Sequence, residues 1–180
     1  MENDMKKTCL HGCHTELEAK MAPFAGYDMP IEYTGLDEEH KAVRTRAGLF
    51  DVSHMGEIYI GGPDAAAFVD HIFTNYAAAM ADGQVLYGMM LNPDGGTVDD
   101  LLVYRISESK FLLVVNASNL DKDFEWVKSH TEGYDVDVRN YSEDCGQLAL
   151  QGPDSEKVMA DVLGIDGSDL AFYTFKILPG

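Results

Sequence analysis

The chain has 180 residues, enough for one ordinary domain or two small ones, and its hydrophobic content of 46% is that of a globular protein. Its formal charge of −18, with no Lys/Arg cluster anywhere, speaks against nucleic acid as a partner, because a phosphate backbone needs a basic footprint. No segment approaches the roughly 18 consecutive apolar residues of a membrane span, so no membrane role is expected.

The first residues, Met1-Glu2-Asn3-Asp4-Met5-Lys6-Lys7, lack the apolar core of a secretion signal and are too acidic for a transit peptide. Cys9, Cys13 and Cys145 make an odd count, which without a signal peptide points to free thiols in a reducing, cytoplasmic setting. Cys9-Leu10-His11-Gly12-Cys13-His14 packs four soft-metal ligand types into six residues. A zinc site pairs such a cluster with a second one; none exists, so no metal site is expected. Residues 21–35 form an entry segment punctuated by Gly and Pro. Leu36 to Ala47 reads as a helix, with Thr34 as its cap, acidic residues in its first turn, and Arg44 and Arg46 in its last. Leu49–Ser53 and Gly56–Ile60 read as short strands. Ser53 and His54 fall on opposite faces of such a strand and make a poor nucleophile–base pair, so His54 reads as a satisfied structural histidine.

Gly62-Pro63-Asp64 opens a helix, with Pro at its first position, that runs to about Phe73. Val85–Leu91 and Leu101–Tyr104 read as strands around a tight reversal, since Pro93-Asp94-Gly95-Gly96 supplies a fixed φ and residues that tolerate positive φ. Phe111–Asn116 is a further strand, and Ser118 or Asn119 starts a helix to about His130, with Leu120, Phe124 and Val127 at helical spacing and Trp126 in the core. Tyr134–Asn140 and Gln147–Gln151 read as strands, and Gly152-Pro153-Asp154 opens a last helix. Phe172–Lys176 reads as a strand awaiting a partner, an edge for association or the sign of a truncated product. Interspersed helices and antiparallel hairpins give an α+β class.

Asp99 and Asp100 stand out as adjacent carboxylates in an apolar strand. A strand that apolar is expected to be covered on both faces, so one carboxylate points where burial costs several kcal/mol unless it is paired or used. Strand parity puts Val98, Asp100, Leu102 and Tyr104 on one face, and Thr97, Asp99, Leu101, Val103 and Arg105 on the other. A loop of two or four residues places Tyr87 opposite Leu102 and on the Asp100 face; a three-residue loop shifts the register by one and removes it. The residues therefore leave two readings open: Asp100 with Tyr87 and Tyr104 as a pocket wall, or a structural Asp beside core tyrosines. Asn116 either caps the following turn or presents its amide to a polar heterocycle. Met55 suits a pocket as readily as a core.

Five runs, in this order, resemble the glycine cleavage system T-protein family, the tetrahydrofolate-dependent aminomethyltransferases. They are Met21-Ala-Pro-Phe-Ala-Gly-Tyr-Asp-Met-Pro30, Glu39-His40-x-Ala-Val-Arg44, Gly48-Leu-Phe-Asp-Val-Ser-His-Met-Gly-Glu57, Asn92-x-x-Gly-Gly-x-x-Asp-Asp-Leu101 and Val114-Val-Asn-Ala117. The resemblance covers residues 5–176. It implies a three-domain cloverleaf fold with folate in the central opening, of which this chain is a truncated version. Residues 1–54 would begin a discontinuous first domain, 55–138 would form the second, carrying the Asp-Asp hairpin, and 139–180 would return, incomplete, to the first. It implies a reaction in which the aminomethyl carbon passes from the lipoyl arm of H-protein to tetrahydrofolate and ammonia leaves. The family's catalytic aspartate falls on Asp100, and its folate contacts fall on Met55, Tyr87, Tyr104 and Asn116. Cys9, Tyr27 and Tyr76 depart from the family's usual Pro, Trp and Asp. The family's enzymes are longer, and their remaining half carries further folate contacts. This favours an alternative in which the chain is a non-catalytic folate-binding or assembly subunit, completed by a second chain or a homo-oligomer. A folate-dependent demethylase or an iron–sulphur-maintenance folate binder is a third reading, disfavoured by the complete Gly48–Glu57 run.

Overall fold

A computed structural model describes residues 5–179. They fall into two compact units, one made of the described residues up to His54 with Gly146–Asp169, the other of Met55–Cys145 with the described residues from Leu170 onward.

The first unit contains α1 (His11–Glu16), β1 (Lys20–Phe24), β2 (Tyr27–Glu32), α2 (Leu36–Thr45), β3 (Gly48–Asp51), β9 (Leu148–Gln151) and α5 (Ser155–Val158), the last followed by a π-turn at Met159–Leu163. β1 pairs with β2 and β3 with β9, each an antiparallel two-stranded sheet. Thr34 does not cap α2. Gly35 holds the cap position, and the Glu39 carboxylate reaches back to accept the backbone N–H groups of Tyr33, Thr34 and Gly35, satisfying donors that the helix start leaves orphaned.

The second unit is a five-stranded antiparallel sheet in the order β5 (Val85–Leu91), β6 (Thr97–Ser107), β7 (Lys110–Val115), β4 (Gly56–Gly61), β8 (Asp137–Asn140). One face carries α3 (Ala65–Ile72) and α4 (Leu120–Ser129) over a core that includes Ile58, Phe68, Met90, Leu101, Phe111 and Val127. The opposite face, with Tyr87, Met89, Asp100 and Tyr104, is only partly covered. Antiparallel sheets tolerate this one-sided solvation, so the expected cover on both faces of β6 is not present. Pro63 does not begin α3: Asp64 is its N-cap, and Gly62 precedes it at φ 136°, where a Cβ would stand 2.3 Å from the Asp135 carbonyl oxygen. Trp126 is half-buried against the core and packs on His130.

β8 is hydrogen-bonded to β4, which keeps 139–145 with the second unit rather than returning them to the first. Residues 170–179 also join the second unit. Phe172–Lys176 forms no strand; Thr174 makes an isolated bridge to Gln84, and the N–H of Val85 donates to Tyr173 O. Among the described residues no helix is long and apolar enough to cross a membrane.

Candidate functional site

The β5–β6 reversal combines both loop geometries considered from the sequence. Asn92 closes on Gly95 and Gly96 around Pro93-Asp94, with Gly95 at φ 85°, the odd-length loop that shifts register by one. A bulge at Val98 then restores it: Leu91 pairs with Thr97, but Met90 pairs with Asp99, Met89 with Asp100 and Tyr87 with Leu102. The extra residue explains why Val98 is buried with Leu101 and Val103 instead of sharing the face of Asp100.

The two carboxylates therefore part company. Asp99 is 4% exposed on the core side. Its company is not Thr97 and Arg105: Arg105 pairs with Asp82, and Asp99 accepts the backbone N–H and side-chain amide of Asn116 and the amide of Asn119, at 2.8–3.0 Å. Burial pushes its carboxyl up, but the hydrogen bonds made to it outweigh burial and hold it below the usual range.

Asp100 lies exposed on the other face. Tyr87 donates its hydroxyl to Asp100 Oδ2 at 2.8 Å, and Asn116 Nδ2 lies 3.2 Å from Asp100 Oδ1 and 3.1 Å from its carbonyl oxygen. Donation to Asp100 and burial raise the Tyr87 hydroxyl above the ordinary phenol value, so it stays a donor. Asn116 directly follows β7 and comes opposite Asp100 in the β6–β7 ladder. Met55 directly precedes β4, whose first residue, Gly56, pairs with Val115, the residue before Asn116. Three of the five expected site residues are thus in direct contact: Tyr87 and Asn116 both bond to Asp100. Tyr104 shares the face but packs edge-on against Phe175, 5.4 Å between ring centres.

Two residues extend this wall beyond the sequence reading. Met89 pairs with Asp100 and is 40% exposed; its alternation with Tyr87 was the available signal. Tyr173, at φ 56°, accepts the backbone N–H of Val85, the β5 residue that pairs with Tyr104. Its placement depends on long-range pairing and left no mark in the sequence.

Within the Cys9–His14 cluster His14 is buried, while Cys9 and Cys13 are exposed. His14 bridges Tyr33 Oη at 2.7 Å and Asp51 Oδ2 at 2.8 Å, His11 Nε2 lies 2.9 Å from Asp28, and Cys9 and Cys13 are free thiols. Among the described residues no group of three or more His, Cys, Asp or Glu side chains is placed to hold a metal ion. Ser53 bonds to the Gln147 backbone. His54 packs edge-on against Phe24 and Tyr27, but its Nδ1 is buried without a hydrogen-bond partner, so it is not the satisfied histidine expected. Burial holds it below the ordinary imidazole value, hence neutral.

Residues 10–178 match the family model described as the GCVT N-terminal domain. Aminomethyltransferases from Desulfitobacterium hafniense (strain DSM 10664 / DCB-2) and Thermotoga sp. (strain RQ2) are 48% and 45% identical to the chain over 173 and 172 residues, covering 96% of it and 47% of each relative. A crystal structure of glycine cleavage system aminomethyltransferase T from Bartonella henselae superposes with a TM-score of 0.90 at 37% identity, over 95% of this chain and 47% of that one. The chain spans about half the length of the relatives it matches, and it belongs to the aminomethyltransferase family through the GCVT N-terminal domain.

Proposed function

We propose that this chain supplies the folate-facing wall and the acid–base carboxylate of a tetrahydrofolate-dependent aminomethyltransferase. It would act on the aminomethyl group carried by lipoylated H-protein and release ammonia. The observation that carries the reading is Asp100: an exposed carboxylate clamped by Tyr87 Oη at 2.8 Å and Asn116 Nδ2 at 3.2 Å. A carboxylate has about four acceptor sites, and these two bonds leave acceptor positions free on the open face. That donor-poor, acceptor-rich wall suits the N–H groups of a reduced pteridine. Asp100 would hold the attacking amine in line and take or return its proton, a role worth about two to four powers of ten in rate for a positioned acid or base. Met55, Met89 and Tyr104 would supply apolar and aromatic surface to the ring.

A second reading is a folate-binding or assembly role, in which transfer needs residues beyond the 47% of the relatives' length that this chain spans. Calorimetric titration with tetrahydrofolate tests the first half of the proposal. Wild type should bind saturably, Asp100→Asn about tenfold more weakly or worse, and Tyr104→Ala by a smaller factor. No binding by wild type at about millimolar ligand, or an unchanged Asp100→Asn, would sink the folate wall. Ammonia release from aminomethyl-loaded H-protein then separates the two readings: binding without release leaves the non-catalytic one.

A further inference from the structure

Asp123 is a fully buried carboxyl group on α4 that nothing described so far uses. Neither of its oxygens accepts a hydrogen bond. The nearest cation, Lys122, stands 3.6 Å from Oδ1 and donates its ammonium instead to the Val98 carbonyl oxygen. An ionised carboxylate left so bare would cost several kcal/mol. Asp99 acts on it both by hydrogen bonding and by charge, and two ionised carboxylates have only acceptors to offer each other, so one of the pair keeps a proton. Asp99 already accepts three N–H groups, from Asn116 N, Asn116 Nδ2 and Asn119 Nδ2. That is the environment of the anion, and it leaves the proton to Asp123.

We propose that Asp123 is a positioning residue: its buried carboxyl stays protonated, donates to Asp99 as the last hydrogen bond on that carboxylate, and so locks the Asn116 amide against Asp100. With Nδ2 held between two carboxylates, the Asn116 oxygen must turn away from both. Asp100 and Asn116 then present a pair of acceptors, which selects ligands with adjacent N–H donors. The inference deepens the folate reading by explaining how the wall stays in one orientation, but its core is a statement about the protein without ligand. Burial, followed by the bond to and charge of Asp99, raises the Asp123 carboxyl to about 8, against the opposing pull of Lys122. Asp99 and Lys122 are the titratable groups that act on it. Deprotonation would place two anions side by side and release Asn116.

The test follows the side-chain amide signals of Asn116 and Asn119 by nuclear magnetic resonance while the pH of the full chain is raised from about 6 to about 9.5. Wild type should show one transition shared by both amides. Asp123→Asn, whose amide still donates to Asp99, should abolish the transition and leave both signals near their neutral-pH positions. A transition that persists in Asp123→Asn, or none in wild type, overturns the proposal. Asp123→Leu, with no donor, should shift the Asn116 signal already at neutral pH. In the binding assay Asp123→Asn should stay within about twofold of wild type and Asp123→Leu weaken about fivefold or more. A folded Asp123→Leu with an unmoved Asn116 signal also overturns it. Failure of wild type to bind tetrahydrofolate would instead count against the folate reading, while the amide titration still decides the role of Asp123.

Discussion

The two units bury different things. In the second, Ile58, Phe68, Phe111, Leu113 and Val127 are at most 1% exposed, and the core is continuous from α3 through the sheet to α4. In the first, Met29 is the one buried apolar side chain among the described residues, while Thr8, His14 and Ser53 are buried around the Asp51 carboxylate and Leu36, Leu49, Phe50 and Leu148 are exposed. Apolar burial is non-directional and contributes about 1.5–3 kcal/mol per large side chain. A hydrogen bond contributes about 0.5–1.5 kcal/mol net but costs more when one partner is lost. The second unit should therefore respond to volume, and the first to geometry and pH. The site stands on the volume-dominated unit, which gives Asp100 a stiff support.

The largest expected effect is in that core. Phe68→Ala should cost about 3–5 kcal/mol in urea unfolding, whereas Phe50→Ala, at a side chain 47% exposed, should cost less than about 1 kcal/mol. Equal costs would erase the contrast. Next comes Asp51→Ala, which strands the Thr8 hydroxyl, the His14 Nε2–H and the Ser53 N–H; it should cost about 2–4 kcal/mol. Burial alone would raise the Asp51 carboxyl, but these bonds bring it down to about 2 from 3.8. Its contribution is thus present above pH 3.8 and lost as pH falls toward 2, so acid unfolding should begin in the first unit.

Glu57 in the second unit has the opposite sign. Burial raises its carboxyl from 4.5 to about 7 against a bond from Ser142. The folded state holds this proton where the unfolded chain has lost it, so stability falls as pH rises from 4.5 through 7. Glu57→Gln should flatten that slope and leave the variant about 1–3 kcal/mol more stable than wild type above neutrality, by thermal unfolding across pH. A steeper slope in the variant would refute the assignment. The smallest effect is Tyr87→Phe. The unfolding midpoint should not move, because the side chain is 53% exposed, but tetrahydrofolate should bind about threefold more weakly as Asp100 loses one of its two clamps. A shifted midpoint with unchanged binding would make Tyr87 a scaffold residue.

Much of the second unit was legible because its strands alternate and its turns use residues with strong local preferences. Tyr87 and Asn116 bond to Asp100; the resemblance grouped these three residues, while parity left the face of Tyr87 to the length of the loop. The face of Asp100 was read correctly, but not by a simple even loop: an odd loop and a compensating bulge produced it, and Val98 went to the core as a result. A bulge has no local signature when every flanking residue is compatible with extended backbone. The cap of α2 was misread for a related reason. Thr34 has the right chemistry, but Glu39, five residues on, offers a charge to three N–H groups at once and displaces it.

By itself the sequence determined the α+β class, the hairpin and its acidic pair, the family, and the absence of a basic surface for nucleic acid. The family follows from the resemblance of its five runs, and the rest from composition, from period-two alternation and from local turn chemistry, which act over a few residues. Only the tertiary structure decided which aspartate is buried, that Asp123 from α4 stands beside Asp99 from β6, and that Tyr173 joins the wall. Such neighbours are brought together by packing across more than twenty residues of chain, and no local preference encodes where a distant carboxyl will come to rest.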